Sequence, residues 1–212
     1  MKKESFMQRY GAYVTALVLF VAVACIYCAP ALEGKVIQSG DSTSAAAAVH
    51  ESTEYSRNTG DYTFWTGSMF SGMPNYQIGG GRYEANAWLK PFRQIMLKGH
   101  YSTPWIFIVF FVCFYALMRA FNINKWLSIV GALATGFSSY FFIIVQAGHN
   151  SKTSSIALIS VVVGGFYLIF RKRYGLGVVL TMLFTAIGFG NHPQMSYYLF
   201  MMIGLFFFAE LY

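Results

Sequence analysis

Six apolar runs separated by short polar breaks constrain this chain more than any other feature. They cover Tyr13 to about Leu32, Pro104 to Leu117, Trp126 to Ala147, Ile156 to Phe170, Leu176 to Gly190, and Ser196 to the end. A helix rises 1.5 Å per residue, so about 20 apolar residues cross a ~30 Å hydrocarbon core. Only 11% of the residues are charged and 56% are hydrophobic, whereas a soluble domain carries about a quarter charged. The pattern predicts an all-α, polytopic transmembrane helix bundle of about six spans. Residues 1–32 form an amino terminus and first span, residues 33–103 an extracytoplasmic subdomain of helical and irregular structure, and residues 104–212 the remaining spans. Runs four and five are short, which calls for local bilayer thinning or for helix extending into the flanks.

The net charge of +7 does not point to nucleic acid, because the basic residues cap apolar runs. Threaded alternately, Lys2, Lys3, Arg9, Arg119, Lys125, Arg171, Lys172 and Arg173 fall at one membrane face, and the short turns of the other face hold only Lys152. The positive-inside rule puts the amino terminus in the cytoplasm. Ala29-Pro30-Ala31 and Ala22-Val23-Ala24-Cys25 faintly resemble signal-peptide cleavage sites, but the first run is longer than a signal core, and a retained anchor is expected. Cys25, Cys28 and Cys113 lie inside apolar runs and read as small hydrophobes. The chain stops within an apolar run, at Phe206 to Tyr212, and is expected to be the amino-terminal part of a longer protein.

In the outer segment, Gly40-Asp41-Ser42-Thr43 followed by Ala45 to Ala48 predicts a helix to about Ser56, with Asp41 or Ser42 as its cap. Phe64, Trp65, Phe70 and Tyr76 then form either a stacking wall for a sugar or lipid or a contact with the bilayer. Gly79-Gly80-Gly81 breaks the chain. Tyr83 to Leu97 predicts an amphipathic interfacial helix with Trp88, Leu89, Phe92, Ile95 and Met96 on its apolar side.

The candidate site gathers at the outer face. Asp41 is a carboxylate close to the membrane surface, able to act as a general base, to hold a divalent metal, or simply to cap a helix. Asp61, after Gly60, reads as a turn residue. The turn between spans three and four, Gly148-His149-Asn150-Ser151-Lys152, adds a titratable imidazole and a compact cation to the Gly and Asn that a turn needs, a combination suited to phosphate. Lys152 equally fits a snorkelling interfacial residue. The next outer turn, Asn191-His192-Pro193-Gln194, offers donors and acceptors for hydroxyl groups. No dedicated metal ligand set is expected, and no phosphate loop, HExxH helix or GxSxG elbow occurs.

Several of these pieces together resemble the YfhO family of bacterial multi-pass membrane proteins. They are Gly40-Asp41, Trp65 with Ser71-Gly72-Met73-Pro74-Asn75-Tyr76-Gln77, Ala147-Gly148-His149-Asn150-Ser151-Lys152, and Asn191-His192-Pro193-Gln194-Met195-Ser196-Tyr197-Tyr198. The resemblance implies a GT-C-like glycosyltransferase in the bacterial cytoplasmic membrane. Such an enzyme takes a sugar from a polyprenyl-phosphate donor and passes it to a cell-envelope glycan or polymer acceptor outside the cell. It also implies Asp41 as the catalytic base, since the catalytic acid of that class follows the first span. The residues alone leave two other readings open, a transporter or flippase of envelope precursors and a non-catalytic structural protein.

Overall fold

The computed structural model describes residues 6–78, 88–97, 102–188 and 192–211. Helices dominate: α1 (Phe6–Tyr27), α2 (Ala29–Leu32), α3 (Gly40–Thr59), α4 (Lys90–Leu97), α5 (Thr103–Ala120), α6 (Lys125–Gly136), α7 (Ser139–Gln146), α8 (Asn150–Phe170), α9 (Tyr174–Gly188) and α10 (Pro193–Leu211). One two-stranded antiparallel ladder, β1 (Trp65–Thr66) with β2 (Met73–Pro74), interrupts them. The all-α expectation holds, and the protein is a membrane protein. Four helices, Tyr10–Tyr27 within α1, α5, α8 and α10, are long and apolar enough to cross a bilayer, and α6 with α7 makes a fifth if the bent pair is one span. Only 17% of the α1 window and 11% of α10 are buried within the chain. So much apolar surface on lone helices needs lipid or further protein around it.

The third apolar run is not one straight helix. α6 and α7 meet at 48°, because Ser138 leaves the helix with φ −68 and ψ 148 at the boundary where α7 begins. A Gly136-Phe137-Ser138 sequence is the kind of small-residue break at which helices kink. The fourth run extends in the opposite sense. α8 begins at Asn150, so the polar residues Asn150 to Ser155 are helical, and the hydroxyls of Thr153 and Ser154 donate to the carbonyls of His149 and Asn150 at 2.8 and 2.9 Å. α9 stays short, 15 residues or about 22 Å.

α5 and α8 form the centre of the bundle. Phe20 of α1, Phe107, Phe110 and Phe111 of α5, and Phe141 of α7 are buried together, in ring pairs such as Phe110–Phe141 at 4.2 Å between centroids. α9 lies against α8 with almost no space between backbones: a Cβ at Gly177 would stand 2.7 Å from the Gly165 carbonyl oxygen and 2.9 Å from the Ile169 nitrogen. Leu89, just before α4, is buried with Leu158 and Ile187, and Met96 packs against the same cluster. The described part of the expected amphipathic helix divides its apolar residues between the bundle and the surface. Leu89 and Met96 turn into the bundle, while Trp88, Phe92 and Ile95 stay exposed. Residues 79–87, which include the glycine run, lie outside the described residues.

The two ends of the bundle differ chemically. At one end Lys125 sits over the Tyr13 ring, Phe121 meets Tyr167, and Arg171 pairs with Glu210 at 3.5 Å. The start of α1 and the ends of α5, α8 and α10 therefore share the basic end. The turns before α8 and α10 lie at the opposite end.

Candidate functional site

The site begins with a serine that the sequence did not single out. Ser39, not Asp41 or Ser42, caps α3: its backbone is extended, and its Oγ accepts the Ser42 N–H at 3.2 Å. Its hydroxyl also donates to Ser42 Oγ at 2.7 Å. The cap satisfies one of the helix's orphan amides and leaves the carboxylate of Asp41, one residue into the helix, for another partner. Asp61 follows the left-handed Gly60 that ends α3, its N–H donating to Thr59 Oγ1 at 3.2 Å.

The partner arrives from the turn between α7 and α8. Gly148 has φ +87, and any Cβ there would run into Ser39 Oγ and stand 2.7 Å from Ser42 Oγ. Glycine thus serves two needs at once, left-handed backbone and direct seating of the turn on the α3 cap. Seated there, the next residue, His149, places Nδ1 3.2 Å from Asp41 Oδ2. Both side chains are about half exposed, 46% and 59%. An exposed pair of this kind stabilises a fold by less than about 1 kcal/mol, so the contact is open to a reactant and contributes little to holding the bundle together.

Lys152, one helical step further on, holds its ammonium 5.5 Å above the centroid of the Tyr140 ring. His192 enters from the turn before α10. Its Nδ1 accepts the Met195 N–H at 3.4 Å, which leaves its proton on Nε2. Burial, then the charge of Lys152 and more weakly that of His149, hold its pKa below the ordinary imidazole range. His192 is therefore a neutral donor at neutral pH, set beside the Lys152 ammonium.

Asp41, His149, Lys152 and His192 are thus brought together from three separate segments. Asn150 is half-buried in the first turn of α8. Gln194 is engaged locally: its amide nitrogen donates to Tyr198 Oη at 2.8 Å, one turn along the exposed side of α10. Asn191 lies outside the described residues. Among the described residues, no three His, Cys, Asp or Glu side chains converge as a metal site would require. Directly beneath the polar turns, a narrow crevice between α8, α9 and α10 is lined by Ser155, Leu158, Val162, Phe184, Ser196 and Leu199.

One further carboxylate organises the outer subdomain. Glu51 of α3 accepts from Thr66 Oγ1 at 2.7 Å, the Gly67 N–H at 2.9 Å and Ser68 Oγ at 3.2 Å. These donors, Thr66 foremost, lower its pKa. The clamp ties the β1–β2 loop to the helix that carries Asp41. Phe64, Trp65, Phe70 and Tyr76 all remain exposed, with the Trp65 indole lying against Gly72. Sequence reading missed Ser39, Glu51 and Tyr140; only the Ser39 cap had a local signal, a serine before a helix start.

No protein-family model, curated protein or solved structure matches this chain.

Proposed function

We propose that this chain carries the catalytic end of a GT-C-like membrane glycosyltransferase. It would move a sugar from a polyprenyl-phosphate donor to a cell-envelope acceptor on the outer face of the bacterial cytoplasmic membrane, with the amino terminus inside and α9 as a shortened sixth crossing. The observation that carries the reading is the 3.2 Å approach of Asp41 and His149 beside Lys152 and His192, at the end of the bundle opposite its basic caps. The motifs that form this cluster are those that resemble the YfhO family. Transfer needs a proton acceptor for the attacking hydroxyl and positive charge for the departing phosphate. The Asp41–His149 pair supplies the first. Lys152, with the first-turn amides of α8 around Asn150, supplies the second. His192 would donate from Nε2 to a sugar or phosphate oxygen, and Asn191 and Gln194 flank that position in sequence.

Envelope glycans are the direct readout. Mass spectrometry of cells carrying the full-length protein should show a glycosylated species that disappears on deletion and falls sharply with Lys152→Met. Identical glycan profiles in all three strains would end this reading.

The kink between α6 and α7 gives a second reading some weight, since transporters use broken helices. The groups at that kink are Phe107, Phe111, Phe137 and Phe142, with no charged residue to couple transport to an ion. Glycosyl transfer is the better fit.

A further inference from the structure

We infer that the Asp41–His149 contact is a catalytic dyad in which His149 is the proton acceptor and Asp41 a positioning residue. This rests on the glycosyl-transfer reading and inverts the roles that the position of Asp41 after the first span would give them.

The geometry sets the roles. The carboxylate faces Nδ1 of the imidazole at 3.2 Å. A carboxylate only accepts and carries negative charge, so at this distance it favours the tautomer with its proton on Nδ1. The lone pair of the neutral ring then lies on Nε2, the nitrogen turned away from Asp41. Asp41 holds the ring in that tautomer and stabilises the imidazolium once a proton arrives, as in other base–orienter pairs. The backbone is built to keep the contact: the Ser39 cap fixes α3, and Gly148 seats the turn on that cap. The other charged and titratable groups of the cluster are Lys152 on α8 and His192 before α10, with the Tyr140 ring under the lysine. The Lys152 ammonium beside the imidazole suits a reaction in which the leaving group is a phosphate.

In the step itself, the acceptor hydroxyl gives its proton to His149 Nε2 while its oxygen bonds to the anomeric carbon. The bond from that carbon to the donor phosphate breaks, and the lipid phosphate departs with the electron pair beside Lys152. The imidazolium then returns its proton to the phosphate or to water, and no oxidant or reductant is involved.

The test is nitrogen NMR of histidine-labelled full chain in lipid nanodiscs at about pH 8.5, where free imidazole is neutral. The His149 signal is assigned by its loss in His149→Gln. Imidazole in water favours the Nε2–H tautomer, so an Nδ1–H tautomer at His149 is the expected signature. It should be lost in Asp41→Asn and restored in Asp41→Glu. In parallel, His149→Gln should lower kcat of the full-length protein by about 10²-fold or more, with Asp41→Asn lowering it less and leaving KM near its original value. An Nε2–H tautomer in the wild type, or full turnover by His149→Gln, overturns the dyad. If the tautomer behaves as expected but no sugar transfer is found in the wild type, the dyad stands and the reaction class falls.

Discussion

Gly148 rests on Ser39: with φ +87, it brings the α7–α8 turn so close to the α3 cap that a side-chain carbon there would meet Ser39 Oγ. This seating joins the start of α3 to the membrane bundle and delivers His149 to Asp41. Gly148→Ala should therefore cost about 1–2 kcal/mol from left-handed backbone strain alone, with the serine clash added. The apparent Tm in detergent should fall, and it should not fall in Gly175→Ala, where the new carbon meets open space. Equal melting of both variants would remove the seating from the design of the site.

The α8–α9 contact allows no such give. Two of the atoms that a Cβ at Gly177 would meet, Gly165 O and Ile169 N, are backbone, beside the Ile169 Cγ1 of a side chain, and backbone cannot rotate aside. Gly177→Leu should cost about 1–3 kcal/mol or more as overpacking and detach α9. Trypsin cleavage at the Arg171-Lys172-Arg173 turn, compared with wild type, measures this; unchanged cleavage would contradict it.

Acid should loosen the outer subdomain through Glu51. Its carboxylate is held below its ordinary value of 4.5 by the three donors from Thr66, Gly67 and Ser68. A depressed acid contributes stability that is present above the unfolded value and lost as pH falls through the folded one. Proteolysis of the 60–78 loop should therefore rise only below about pH 4.5, and Glu51→Gln should show the raised rate already at neutral pH. A variant with wild-type protection across the range would dispose of the clamp.

His192 reports on the lysine beside it. Its pKa lies below the ordinary 6.5, so its neutral form is retained on mild acidification. Its contribution to stability is full above 6.5 and is lost as pH falls toward the lower folded value, because the unfolded chain takes up the proton first. Lys152→Gln removes the largest charge acting on it and should move its NMR titration upward. No movement would separate Lys152 from His192.

Much of the bundle was legible in the sequence because lipid imposes a simple rule: apolar length must match bilayer thickness. That rule placed α1, α5, α8 and α10, and basic caps sorted the two ends. It did not reveal the kink at Ser138, since Gly136-Phe137-Ser138 breaks a helix without breaking its hydrophobicity. It also understated α8, whose polar first turn from Asn150 to Ser155 is helical because its hydroxyls bond back to the preceding turn. The candidate residues Asp41, His149, Lys152 and His192 were visible as chemistry out of place in an apolar chain. Their pairing was not, because it depends on Ser39 taking the cap that Asp41 or Ser42 was expected to fill, and on a glycine meeting that serine across the fold. Glu51 was silent, since a carboxylate on a polar helix carries no local mark of the loop that will bind it.

Cysteine cross-linking tests the convergence most directly. With Cys25, Cys28 and Cys113 replaced by alanine, Asp41→Cys combined with His149→Cys in the full-length protein in native membranes should join rapidly with a short bifunctional thiol reagent. Asp61→Cys with His149→Cys should not. Efficient joining of the first pair alone is the predicted result; a first pair that joins no faster than the second would mean that Asp41 and His149 do not share a site.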